Sequence, residues 1–214
     1  MHLESLPMHN KRNLVFSIII LVTITQIVLL QFTSTARGQN SNYRDHFESY
    51  SSPRLKIELE YPTDWRVLEL DAPTLSNLIG LVSLEPLKSE QELVADTLEE
   101  TPIFAIIAEQ IKIRNMTIDE YARLQSQGIW YLFSDFDFKI ENKTTTMGNN
   151  TAIKIEYSVV DPYAHENTRI RYAMEIWTIR GDTLYTISYL GKEDQYFRYL
   201  PTVEQIVDSL EFID

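Results

Sequence analysis

From Leu14 to Phe32 the chain is apolar except for Ser17, Thr23, Thr25, Gln26 and Gln31, and it carries no charge. Nineteen residues in a helix, at about 1.5 Å each, reach roughly 28 Å, close to the thickness of a hydrocarbon core. Lys11 and Arg12 stand just before the run. Basic residues there favour an N-terminus inside and the bulk of the chain outside. A secretory signal has only about 7–15 apolar residues before a small-residue cleavage site. Ser34-Thr35-Ala36 would supply such a site, but the length of the run favours a retained single-pass anchor over cleavage near Ala36. Residues 1–13 then read as a short cytoplasmic N-terminus and 14–32 as the transmembrane segment. Residues 33–52 read as a polar tether without period, and 53–214 as a globular domain.

Within the domain the period shortens to two. Leu55 to Tyr61 alternates apolar and charged residues, as a half-buried strand does, and Pro62-Thr63-Asp64 turns the chain. Trp65–Leu70, Leu78–Leu84 and Ile103–Ile113 follow as strands, with an acidic surface excursion over residues 88–100. Thr117 and Glu120 have the spacing of a capping box, opening a helix that Gly128 ends. Period-two patterns resume at Phe136, Phe138 and Ile140 and again from Ile153 to Val159. Arg169–Ile179 and Leu184–Leu190 are joined by the two-residue turn Gly181-Asp182. Pro201 opens a second helix, with Val203, Ile206, Val207 and Leu210 forming one apolar stripe. Strands, helix, strands, helix, linked by hairpin-length connections, predict an α+β domain: one antiparallel sheet with helices packed on it.

Composition narrows the function. The 214 residues carry a net charge of −12, and only Glu4, Lys11 and Arg12 are charged before Arg37, so the domain itself is acidic. Such a surface repels phosphate backbones, which excludes nucleic acid as a partner, and it repels anionic lipid as well. The absence of cysteine removes disulfides, thiolate metal sites and cysteine nucleophiles. The six glycines are scattered, so neither a phosphate loop nor a dinucleotide turn is present, and no Gly-x-Ser-x-Gly or His-Glu-x-x-His occurs.

The remaining candidates are small groupings. Asp135 and Asp137 would share one strand face, and Asp161, His165 and Glu166 lie in a loop between strands. Either pair or trio offers oxygen ligands to calcium, but neither has the dense Asp-x-Asp-x-Asp-Gly spacing of a calcium loop, so no cofactor is expected. Arg180-Gly181-Asp182 spells an adhesion tripeptide that a turn fully explains. Sequons at Asn115, Asn142 and Asn149 fall in predicted connections, where an exported chain would accept N-glycans.

Three stretches together resemble the PsbP family, named for an extrinsic subunit of the photosystem II oxygen-evolving complex. They are Tyr61-Pro62-Thr63-Asp64-Trp65, then Met147 to Tyr157, then Trp177 through Tyr185–Tyr189 and Tyr196–Pro201 to Leu210. The chain looks most like prokaryotic, especially archaeal, members behind one N-terminal hydrophobic segment. The resemblance implies an antiparallel sheet sandwiched by helices. Plant members stabilise a manganese cluster and help retain calcium and chloride, but no family metal ligand matches a position here. The expected function is therefore a non-catalytic accessory or binding module, tethered to the membrane and docking on a membrane protein complex or a small ligand. The alternatives are a divalent-ion protein for calcium or manganese and an unrecognised hydrolase.

If residues 14–32 stay in the membrane, the native protein sediments with membranes and resists extraction by high salt and carbonate. A mature chain beginning at Arg37 would instead establish a cleaved signal.

Overall fold

The computed structural model describes residues 46–70, 77–87, 102–112, 115–133, 139–160 and 170–214. Two antiparallel sheets and two helices make up these residues. The alternating stretch found in sequence is β2 (Ile57–Pro62), whose Ile57 and Leu59 are buried while Glu58 and Glu60 face water. It lies between β1 (Phe47–Ser52) and the short C-terminal β10 (Glu211–Phe212) in a three-stranded sheet.

The larger sheet has seven strands in the order β3-β4-β5-β9-β8-β7-β6. They are β3 (Trp65–Leu70), β4 (Leu78–Pro86), β5 (Ile103–Gln110), β6 (Lys139–Met147), β7 (Asn150–Val160), β8 (Ile170–Arg180) and β9 (Thr183–Lys192). Strands β8 and β9 are buried on both faces through their middles, from Ala173 to Thr178 and from Leu184 to Ile187. Such strands read as continuous apolar runs rather than alternation. Each face therefore has its own cover.

Helix α1 (Ile118–Phe133) packs on β7 and β8, and Ala122 and Ile129 meet Ile153, Ile155, Trp177 and Leu184 there. On the other face lie helix α2 (Glu193–Ser209) and the small sheet. Leu55, Ile57 and Leu59, with Val203, Ile206 and Val207 of α2, close over Val82, Phe104, Ile106, Met174 and Ile187. Tyr185 ties the layers by donating its hydroxyl hydrogen to the Leu55 carbonyl at 2.9 Å.

Several details differ from the sequence reading. A second sheet shares a layer with α2, whereas a single sheet was expected. The folded part begins at Phe47, inside the stretch read as tether, because Tyr50, Ser52 and Phe47 pair along β2 in a register that polar composition conceals. Helix α1 continues past Gly128, whose cost of about 1 kcal/mol in a helix is offset by burial of Ile129. Helix α2 starts at Glu193, eight residues before Pro201. Glu193 and Asp194 complement the positive end of the helix, and Tyr196 stacks on Tyr189 with ring centres 4.8 Å apart. Pro201 lies inside the helix, where it removes one backbone donor. Strand β6 runs Lys139–Met147, while Phe136 and Phe138 lie outside the described residues.

The expected capping box is formed. The Thr117 amide donates to Glu120 Oε2 at 3.0 Å, and the Glu120 amide donates to Thr117 Oγ1 at 3.2 Å. Gly148 and Asn149 both have positive φ in the two-residue link from β6 to β7. A Cβ on Gly148 would meet Phe212 Cδ2 at 2.6 Å, so glycine also allows the C-terminal strand to close on this turn.

The sheet has two chemically different ends. The upper end carries the β6–β7 and β8–β9 turns and the C-terminus, where Arg180 pairs with Asp214 at 3.1 Å. The lower end gathers the first residues of β3, β5 and β8 and the last of β4, β7 and β9, together with the start of α2.

A chain beginning at His46 is expected to unfold in one cooperative step. Trp65 is 4% exposed and meets Tyr199 edge-on at 5.8 Å. Trp65→Ala should therefore cost about 3–5 kcal/mol in urea unfolding, and a loss under about 1 kcal/mol would contradict its place in the core.

Candidate functional site

Strand β8 is apolar through Ala173, Met174, Ile176 and Trp177, with one carboxylate in the middle. The two-residue period turns Glu175 and Trp177 to the same face, the one that α1 covers. In β7, Ile155 stands opposite Glu175 and Tyr157 stands opposite Ala173, which brings the Tyr157 hydroxyl over Glu175. That hydroxyl donates to Glu175 Oε1 at 2.7 Å, and Trp177 Nε1 donates to Oε2 at 3.1 Å. Glu175 as a whole is only 3% exposed.

Helix α1 roofs the group with Tyr121, which meets Trp177 edge-on at 5.7 Å and also bonds to Gln125 and Thr186. Glu109 of β5 adds a second carboxylate near Tyr121. Burial pushes the Glu175 carboxyl up to about 7, against the two hydrogen bonds, which favour its charged form. Burial likewise raises Glu109, Tyr121 and Tyr157, and the negative charge of Glu175 raises both tyrosines further. The centre is a proton-binding carboxyl closed off from solvent, with two neutral donors fixing its orientation. In this arrangement the group lies under α1, closed off from solvent, with both carboxyl oxygens held by the tyrosine and tryptophan donors.

This centre was missed in sequence. The available signal was a lone Glu flanked on both sides by large apolar residues within a strand, which burial on both faces makes expensive unless the group is partnered. The expected ligand groupings, Asp135 with Asp137 and Asp161 with His165 and Glu166, lie outside the described residues. Among the described residues no group of three His, Asp or Glu side chains is gathered for a metal. Asn115 and Asn149 lie on exposed turns with φ near 63°. Asn142 instead lies within β6 opposite Ile155, so it is not in a connection as its sequence context suggested. No helix among the described residues is long and apolar enough to cross a membrane, and residues 14–32 lie outside them.

A seven-stranded antiparallel sheet with a helix on one face and a helix plus small sheet on the other defines an α+β class of domain. The chain matches the PsbP-like protein family over residues 13–212 and belongs to that family. No curated protein matches it in sequence. Among solved structures, cyanobacterial PsbP (CyanoP) from Synechocystis sp. PCC 6803 is similar at 14% identity and a TM-score of 0.50, over 82% of this chain and 98% of CyanoP. LpqN of Mycobacterium tuberculosis, involved in cell envelope biogenesis, is similar at 12% identity and a TM-score of 0.53, over 79% and 93% of the two chains. At these identities the likeness is one of fold.

The raised pKa has a definite sign. A carboxyl that holds its proton to about pH 7 when folded, against 4.5 ordinarily, stabilises the fold fully below pH 4.5. That contribution is lost as pH rises through 7, at a cost of about 3 kcal/mol. Urea unfolding of wild type and Glu175→Gln at pH 4 and pH 8 measures it. Wild type should lose about 3 kcal/mol more than the variant over that interval. Parallel pH profiles would contradict the burial of this charge.

Proposed function

We propose that the PsbP-like domain is a non-catalytic accessory module, held outside the cytoplasm by residues 14–32 and docking there on a membrane complex or a small ligand. The observation that carries this reading is the extent of the family match. It begins at residue 13 and so takes in the uncharged apolar run together with the folded domain. The 13 residues 33–45 that join them are polar, and a chain of that length spans at most about 45 Å even when fully extended, which keeps the domain close to the bilayer. Outside the cytoplasm, Asn115 and Asn149 on their exposed turns are open to glycosylation. The shared fold does not select the partner, since one fold serves many functions. The selection lies in surface chemistry.

Purification from native membranes in mild detergent tests the reading. The protein should migrate with an integral membrane protein at fixed stoichiometry; a free monomer that turns over an ester or phosphate substrate would overturn it. Calcium calorimetry in moderate salt separates the ion-binding alternative. The expectation is no one-to-one binding tighter than about 10 µM. Such binding, abolished by Asp137→Asn or Asp161→Asn, would make ion binding the function.

A further inference from the structure

Four large apolar side chains among the described residues are strongly exposed: Trp130 at 61%, Phe197 at 52%, Leu87 at 50% and Ile170 at 44%. Topology puts all four at the lower end. Leu87 follows Pro86, which stands opposite Trp65, the first residue of β3. Ile170 opens β8 opposite Val160, the last residue of β7. Phe197 lies in the second turn of α2, directly after Lys192, which stands opposite Arg171. Trp130 lies in the last turn of α1, whose chain returns to the sheet at Lys139, opposite Ser158. One side chain comes from each helix layer and two come from the sheet between them. At the upper end the turns are Gly148-Asn149 and Gly181-Asp182, and no large apolar side chain of the described residues is exposed there.

The N-terminal segment enters at the same lower end. The His46 carbonyl accepts the Thr63 amide at 2.9 Å, and the Leu87 amide donates to the neighbouring Asp64 carbonyl at 2.8 Å. His46 is therefore one turn away from Leu87. Only residues 33–45 separate it from the end of the apolar run at Phe32.

The geometry points to a lipid-facing end: Leu87, Trp130, Ile170 and Phe197 rest at headgroup level in the bilayer that residues 14–32 cross. This inference rests on the anchor reading of that segment. Separate apolar side chains spread over the end of three layers suit a fluid surface, whereas a protein partner usually meets a contiguous central patch. Trp and Phe favour the membrane interface, where an apolar ring and a wet boundary coexist. The net charge of −12 selects zwitterionic rather than anionic lipid. A link of 13 residues, at most about 45 Å even fully extended, allows the contact without letting the domain stray far from the bilayer.

Tryptophan fluorescence reads the contact directly, because Trp65 and Trp177 are buried and Trp130 is the exposed one of the three. The full chain is reconstituted in phosphatidylcholine vesicles with brominated acyl chains, and Trp130→Phe gives the background. Brominated lipid should remove most of the Trp130 emission, and iodide in the water should remove little. In the Trp130→Phe background, Phe197→Trp should behave likewise from the opposite layer. Gln205→Trp, exposed farther along α2, should respond to iodide instead. A chain that floats with the vesicles while iodide, not brominated lipid, quenches Trp130 overturns the lipid-facing end and leaves the anchor standing. Shielding from both quenchers means that protein covers this end, and it also overturns the proposal. Failure to float overturns the anchor, and the lipid-facing end with it.

Discussion

Burial of both faces of β8 and β9 is the constraint on which the rest of the molecule depends. A sheet whose central strands carry Ala173 to Thr178 and Leu184 to Ile187 out of water leaves neither side free. Helix α1 closes one side; α2 and the three-stranded sheet close the other. The charge caught at the middle of β8, Glu175, is kept by a tyrosine from the neighbouring strand and a tryptophan from its own. Its carboxyl stays protonated up to about pH 7 because charging it under α1 costs more than the two donors return. Packing and proton binding at this point are one phenomenon.

What was legible in the sequence followed from periodicity. The alternation in β2, the apolar stripe at Val203, Ile206 and Val207, and the turn at Gly181 each state their local geometry in side-chain spacing. The capping box at Thr117 and Glu120 formed as its spacing required, since its two hydrogen bonds are local. Boundaries were less legible where tertiary contact overrides local preference. Gly128 and Pro201 are ordinarily helix punctuation, yet Ile129 and Tyr196 find buried partners that carry each helix across them. Strand β1 was concealed because Glu48, Ser49 and Ser51 face outward and only its pairing with β2 defines it.

The candidate site divides in the same way. Carboxylates grouped in the sequence, such as Asp135 with Asp137 and Asp161 with Glu166, draw attention because several oxygens close together are what a cation needs. Glu175 draws none, because in one dimension it is a single charge in an apolar run. Its meaning depends on Tyr157, eighteen residues away, and on the helix above. The exposed side chains at the lower end were equally hidden, since Leu87, Trp130, Ile170 and Phe197 come together only through topology. Glu175 bears on stability, and the lower end is the surface proposed to meet lipid.

The central claim is that the N-terminal segment crosses a membrane and leaves the domain outside. The absence of native cysteine makes a topological measurement clean. Single cysteines placed by Ser5→Cys and by Gln205→Cys, the latter exposed on α2, are treated in intact cells with a membrane-impermeant maleimide. The account predicts that Gln205→Cys is labelled without lysis and Ser5→Cys only after it. Labelling of Gln205→Cys only after lysis would contradict the account.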